Sequence, residues 1–442
     1  MGQYLTAEMK RQQIPGLSVA LLRGGRVLLS RGYGFANVEL RVPASDSTIY
    51  QSGSLGKQFT AAGVLLLSAQ GRLRLDDPVT RWLKEGAGVW DSITVRHLLT
   101  HTSGMAEYTD STFDYRKDYT EDQMVRFAAS RPLDFPPGTR WSYSNTGYML
   151  LGVLLHRASG RFYGDLLQEL IFRPLGMRTT RIISESDIVP NRAAGYQLER
   201  GRLRNQEWVA PSLNTTADGS LYFSVKDLIQ WAQSLDRRQI PDSSLLQAAW
   251  TPVRLNDGGR FPYGFGWDLS PQRGHTRIGH TGSWQGFKTA LFRYPESGLT
   301  VIVLANLADA ETGSLAEGIA GIMEPSLQPP HRLAAALPGP RPPTTTKVLL
   351  ERIAAGDDAG LTPGLHRFLS PRDRSELRKQ LERTPEWTAL GCDTLSGRGI
   401  SYLGAAVERM CYSRAAGDKE QVVTTLFYTR DWKLAHMDTS RY

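Results

Sequence analysis

Two strand-like stretches separated by more than two hundred residues constrain this chain most. Near the start, residues 16–34 read GLSVALLRGGRVLLSRGYG, two apolar runs about a Gly-Gly dipeptide that tolerates positive φ, the signature of a hairpin. Far downstream, residues 279–308 read GHTGSWQGFKTALFRYPESGLTVIVLANLA, again two apolar runs, this time about Pro-Glu-Ser-Gly. Between them, from about residue 76 to 260, lie helical patches broken by Gly and Pro: DDPVTRWL, TVRHLLTH, EDQMVRFAAS, SNTGYMLLGVLLHRASG, YGDLLQELIFRPLG and SVKDLIQWAQSLDR. Strands at both ends with helices between predict one antiparallel sheet, flanked by helices and assembled from distant parts of the chain, with an all-helical lobe inserted in it: an α/β (α+β) architecture.

At 442 residues the chain exceeds one ordinary domain. Residues 325–346 fall in a Pro-rich stretch of little periodicity and are expected to be a semi-extended linker after a first domain over 1–324. Beyond it, KVLLERIAAG and PRDRSELRKQLER read as helices, and RMCYSRAAG, QVVTTLFYT and WKLAHMD as alternating strands, so 347–442 is expected to be a small α+β domain. Both cysteines, Cys392 and Cys411, lie there, leaving a single bridge or two buried thiols as the readings. The net charge of +8 is spread over 52 basic and 44 acidic residues with no basic tract, which argues against nucleic acid as a partner. No apolar run reaches the roughly 18 residues of a membrane span. The opening MGQYLTAEMKRQQIPG has no apolar leader. The compartment expected is periplasmic or extracellular with a signal peptide removed, the cytoplasm remaining as the alternative.

The stretch YQSGSLGKQFTAAGVLLLSAQG, residues 50–71, sets Ser54 and Lys57 three apart at the start of an apolar helical segment. On a helix these positions share a face. A lysine among apolar neighbours is suited to take the proton of a serine hydroxyl, because desolvation disfavours its charged form. A serine at a helix start also sees free N–H groups that favour an acyl oxyanion. The plainer alternative is an N-cap serine beside a lysine reaching for solvent. Two further features tip the balance. WSYSNTGY carries Tyr143 and Asn145 directly before a helical segment, a phenol able to relay a proton and an amide able to hold a carbonyl. GHTGSWQG carries His280, Thr281, Gly282 and Ser283 at the opening of a strand, where small residues let a substrate approach the backbone.

Ser54-x-x-Lys57, Tyr143-x-Asn145 and His280-Thr281-Gly282, in that order, resemble the serine β-lactamase and penicillin-binding protein superfamily, nearest to the branch of class C β-lactamases, DD-carboxypeptidases, D-amino-acid peptidases and related esterases. HLLTHTSGM at 97–105, DGSLYFSVKDLIQW at 218–231 and YGFGW at 263–267 are similar to stretches of that branch, and the resemblance covers roughly residues 5–322. It implies a β-lactamase/transpeptidase-like fold and acyl transfer through a covalent serine intermediate, without metal or organic cofactor. Ser54 would attack, Lys57 and Tyr143 would share the proton, and Asn145 would bind the substrate amide. The N–H groups of Ser54 and Ser283 would hold the oxyanion, and the hydroxyls of Thr281 and Ser283 a carboxylate. His280 stands where many β-lactamases of the branch carry lysine. Anchoring of a carboxylate is therefore expected to be weaker and to fall as His280 loses its proton.

The expected substrate is an ester, a D-amino-acid peptide or a β-lactam. The competing readings are a penicillin-binding sensor or scaffold with little turnover, and a true β-lactamase. A second copy of the chain, docked through the C-terminal domain, is the macromolecular partner considered. His97 and His101 have zinc-ligand spacing but lack the glutamate of the zinc-protease pattern, so packed structural roles are expected. No Gly-x-Ser-x-Gly elbow occurs. The loop carrying Tyr108, Phe113, Tyr115 and Tyr119 is either a lid or a surface loop with aromatic anchors.

Overall fold

The computed structural model describes residues 1–110, 112–184, 186–333, 337, 340–384, 386–395, 400–416 and 421–441. The chain divides into two compact units: 1–251 with 263–269 and 277–319, and 252–262 with 270–276 and 320–442. No helix among the described residues is long and apolar enough to cross a membrane.

The first unit is organised by a six-stranded sheet. Its strands are β1 (Gly16–Arg23), β2 (Arg26–Asn37), β3 (Val42–Pro43), β4 (Ile278–Trp284), β5 (Phe287–Tyr294) and β6 (Leu299–Ala305), in spatial order β4-β5-β6-β1-β2-β3. All pairings are antiparallel, and β1 joins the two ends of the unit, Leu17 lying opposite both Tyr33 and Ala305. This central place explains why β1 is apolar without alternation: every residue from Gly16 to Leu22 is buried, whereas β2 is largely exposed. The Gly24-Gly25 turn has φ of 56° and 75°, the double positive of a type I′ hairpin turn, as the dipeptide predicts.

Helices of this unit include α1 (Gly2–Gln12), α2 (Lys57–Ala69), α3 (Val95–Leu99), α4 (Glu121–Ala129), α5 (Asn145–Ser159) and α6 (Val225–Arg237). The last is amphipathic: it packs on β1 and β6 and buries Val225, Leu228, Trp231 and Leu235. By contrast α2 and α5 are apolar nearly all round and pack on each other within the core, as a helix without a polar face must. The expected helix over DDPVTRWL is reduced to one short turn, Val79–Arg81. Pro78 bridges Thr94 and the Val79 N–H donates to the Ile93 carbonyl, which holds the chain extended there.

The second unit has the sheet β7 (Glu386–Thr394), β8 (Arg409–Ala416), β9 (Gln421–Tyr428) and β10 (Leu434–Arg441), antiparallel and in that order. Helices α7 (Thr346–Ala355), α8 (Pro363–Phe368) and α9 (Pro371–Arg383) pack with it through Leu350, Ile353, Leu365, Leu377, Leu426 and Leu434. Of the two readings left for the cysteines the structure has the bridge: Cys392 on β7 lies opposite Cys411 on β8 and is bonded to it. In its described residues the Pro-rich stretch is shaped by turns and by contacts. Pro325–Leu327 and Pro330–Arg332 form single turns, Leu333 and Leu337 pack against a cluster that includes Leu390, Met410 and Phe427, and the Leu337 N–H donates to the Leu390 carbonyl. Burial of these leucines outweighs the extended preference of the prolines around them.

Candidate active site

The residues quoted from the sequence converge where α2 begins. Ser54 lies in a single 3-10 turn, Gly53–Gly56, that runs directly into α2 at Lys57, rather than in the first α-helical turn. In 3-10 geometry residues three apart eclipse one another, which brings Lys57 Nζ to 3.1 Å from Ser54 Oγ. The lysine is 0% exposed, and its nitrogen is also 2.8 Å from Asn145 Oδ1 and 2.7 Å from the Asp218 carbonyl oxygen. A buried amine needs such partners, since an unpaired one would forfeit its hydration. Its nitrogen lies 5.0 Å and 5.4 Å from the ring centres of Tyr143 and Tyr148.

Asn145 is the first residue of α5. Ser144 caps that helix by accepting from the Gly147 N–H, and Glu107 accepts from the N–H groups of Asn145 (2.6 Å) and Thr146 (3.2 Å), a carboxylate at the positive end of the helix dipole. Burial pushes the Glu107 carboxyl upward and Asp218 adds to this, against the pull of those N–H donors and of Lys57. Tyr143 precedes the cap; its hydroxyl is buried and meets no hydrogen-bond partner among the described residues.

Strand β4 closes the third side. At Gly53 the backbone takes φ of 52°, and a Cβ there would stand 2.3 Å from the Ser283 backbone nitrogen. On the facing strand a Cβ on Gly282 would stand 2.0 Å from the Ser52 carbonyl oxygen. Glycine on both partners is what lets the Ser54 turn and β4 touch backbone to backbone. Thr289 Oγ1 also donates to the Ser52 carbonyl at 2.6 Å. Thr281 and Ser283 are exposed.

His280 corrects its sequence expectation. The ring is buried, with Nδ1 donating to the Thr281 carbonyl (2.5 Å) and Nε2 accepting from the Tyr263 hydroxyl (3.0 Å). Burial lowers its pKa from 6.5 to about 4, helped by Lys57 and opposed by the Thr281 carbonyl and Asp268. The imidazole is therefore neutral from pH 5 to 8 and is not the titrating cation expected, because strand β4 turns it into the protein rather than toward water.

His97 and His101 have packed roles. His97 Nδ1 accepts from the Thr94 N–H in a capping box at the start of α3, and His101 Nδ1 accepts from the Ser144 N–H. The aromatic loop is anchored: Tyr108 and Phe113 are buried, Phe113 stacks on Tyr119 at 4.8 Å, and the Tyr115 carbonyl accepts from the Ala210 N–H. Tyr108 Oη donates to Asp218 Oδ2 at 2.9 Å. Asp218 and Tyr263 were not singled out individually in the sequence; only the stretches DGSLYF and YGFGW pointed near them. A cavity of about 630 Å³ lies elsewhere in this unit, lined by Phe162, Gln168, Arg181, Ile183 and Pro211, and includes none of these site residues.

The sequence profile of the Beta-lactamase family matches residues 1–321. A penicillin-binding protein of Bacillus subtilis is 33% identical over 310 residues, 65% of this chain and 67% of its own length. A D-aminopeptidase of Gluconobacter oxydans is 31% identical over 335 residues, 72% of this chain and 62% of its own. The chain thus spans about two-thirds of the length of these relatives. Among solved structures, an octameric penicillin-binding protein homologue from Pyrococcus abyssi superposes with a TM-score of 0.67 at 24% identity, covering 100% of this chain and 89% of the other.

Proposed function

Because the chain belongs to the Beta-lactamase family, we propose that it is a serine hydrolase that opens an amide or ester bond through an acyl-enzyme on Ser54. The observation that carries this reading is the set of three contacts at Lys57 Nζ. A neutral amine has two N–H donors and one lone pair. Asn145 Oδ1 and the Asp218 carbonyl can only accept from it, so once the nitrogen that donates to Ser54 Oγ has given up its third proton they keep both N–H groups and the lone pair faces the Ser54 hydroxyl.

In this mechanism the Ser54 proton passes to Lys57 as Oγ bonds to the substrate carbonyl carbon. The oxyanion is met by the backbone N–H groups of Ser54 and Ser283, brought near each other by the contact at Gly53. Tyr143 hands a proton to the departing amine or alkoxide, and the bond to that group breaks. Water, activated through the same lysine and phenol, then releases the acid. Asn145 Nδ2 is left to hold the substrate amide. Thr281 and Ser283, exposed on β4, face the far side of the substrate.

A neutral His280 gives β4 no fixed cation at that position, so strong anchoring of a β-lactam carboxylate is not favoured. This supports a peptidase or esterase, in keeping with a relative named a D-aminopeptidase. The test is a panel of a chromogenic cephalosporin, a D-amino-acid amide and a short nitrophenyl ester. The ester or amide is expected to turn over at least about a hundredfold faster with the wild type than with Ser54→Ala. Equal rates would remove Ser54 as nucleophile; a stable adduct on Ser54 seen by mass spectrometry, without turnover, would instead make the protein a sensor.

A further inference from the structure

Tyr143 is held from both flanks by one residue. The Ser142 N–H donates to the His101 carbonyl at 2.9 Å, and the Ser144 N–H donates to His101 Nδ1 at 3.0 Å. Between these two bonds the Tyr143 ring lies 4.3 Å from the imidazole, inclined by 36°. The same imidazole is packed by Tyr263 at 4.7 Å and Tyr148 at 5.1 Å, so it is fixed in turn. His101 is 1% exposed and takes φ of 59°, a left-handed backbone uncommon for residues with a side chain. Such conformations persist where the surroundings over-determine them, and they cluster at functional sites.

A buried histidine is commonly core filler. Two observations here go further. Both acceptors that His101 offers, its carbonyl and Nδ1, are used by the two neighbours of Tyr143, while its buried Nε2 meets no partner among the described residues. The Tyr143 hydroxyl has no partner among the described residues, so the phenol is fixed by its flanks rather than by its tip. Because Nδ1 accepts, the proton of the neutral ring sits on Nε2. Burial holds the imidazole well below its ordinary pKa and so keeps Nδ1 free to accept.

We propose that His101 is a positioning residue for the reaction: through Nδ1 and its carbonyl it sets residues 142–144 so that the Tyr143 phenol is presented to Lys57. The inference rests on the role given to Tyr143 above. Displacements near 1 Å at a reacting group cost about a hundredfold in rate.

The experiment compares H101N, which keeps an acceptor near the Nδ1 position and tolerates left-handed backbone, with H101G, which tolerates the backbone but has no acceptor. H101F, which keeps the ring volume, replaces H101G where the cavity prevents folding. On a nitrophenyl ester, the variant without the acceptor is expected to lose about a hundredfold in kcat with KM within about threefold, and H101N to stay within about tenfold of wild type. In the Y143F background, removing the acceptor is expected to cost no more than about threefold further, because its effect runs through the phenol. Equal losses in H101N and the acceptor-free variant, no loss in either, or losses that multiply with Y143F overturn the proposal. Labelling of wild-type Ser54 by a fluorophosphonate keeps the two readings apart: absence of label defeats the proposed function, whereas label with uncoupled variants defeats only the role of His101.

Discussion

The contact between Gly53 and Ser283 offers the sharpest quantitative test. In Gly53→Ala the new methyl would stand 2.3 Å from the Ser283 nitrogen, 2.7 Å from the Gly282 carbonyl carbon and 2.8 Å from the Ser283 carbonyl carbon. All three are backbone atoms, so no side chain can swing away. To reach ordinary contact the turn bearing Ser54 and strand β4 must separate by about 1 Å. That movement parts the two N–H groups proposed to hold the oxyanion, and losing one such donor costs about a hundred- to a thousandfold in rate. The positive φ adds strain of about 1–3 kcal/mol. Gly160→Ala separates the two effects: φ there is 74°, and nothing lies within 4 Å of its added carbon. In calorimetry Gly160→Ala is expected to lose the strain alone and Gly53→Ala more than that, while single-turnover acylation by a chromogenic ester slows at least about a hundredfold in Gly53→Ala alone. Acylation by Gly53→Ala within threefold of Gly160→Ala would refute the reasoning.

In the second unit, the Cys392–Cys411 bridge closes a sequence separation of 19, a loop whose cross-link is worth about 3 kcal/mol. Replacing both cysteines by serine is expected to speed hydrogen exchange in β7 and β8 by that margin while ester hydrolysis is unchanged; unchanged exchange would count against it. Burial lowers both His280 and His436 from 6.5 to about 4. The unfolded chain therefore binds more protons between those values, and this contribution to stability, full above pH 6.5, is lost as pH falls toward 4. Urea midpoints at pH 7, 5 and 4 should show the fall, less steeply in His280→Gln; parallel curves would contradict the assignment. From pH 5 to 8 the rate on a carboxylate substrate should carry no inflection from His280, the reverse of what its residue type alone suggests.

What could be read in advance followed from how local each signal is. Ser54 and Lys57 meet because they are three apart on one turn, and the hairpin of β1 and β2 follows from its own Gly-Gly dipeptide. The sheet was legible because β1, the start of β2, β5 and β6 are apolar runs. Strand β7, EWTALGCDT, lies on the sheet's edge, mostly unburied and without alternation, so the segments of Cys392 and Cys411 read only as strands that could be neighbours and the bridge stayed one of two readings. The state of His280 depends on which way β4 turns it, which no neighbour in sequence records. Asp218 contributes a backbone oxygen to Lys57, a role indifferent to residue type. The grip of His101 on Tyr143 spans about forty residues and uses backbone groups at both ends of one bond and at one end of the other.

The pairing of β1 with β6 joins Leu17 to Ala305. During vectorial synthesis the ribosome releases the N-terminal hairpin and α2 long before the strand that must flank them exists. Until then an apolar ribbon edge stays open, and Lys57 waits without the β4 backbone beside its turn. The paired N–H groups of Ser54 and Ser283, and with them the acyl chemistry proposed for Ser54, are therefore assembled only once the last strands of this unit have docked.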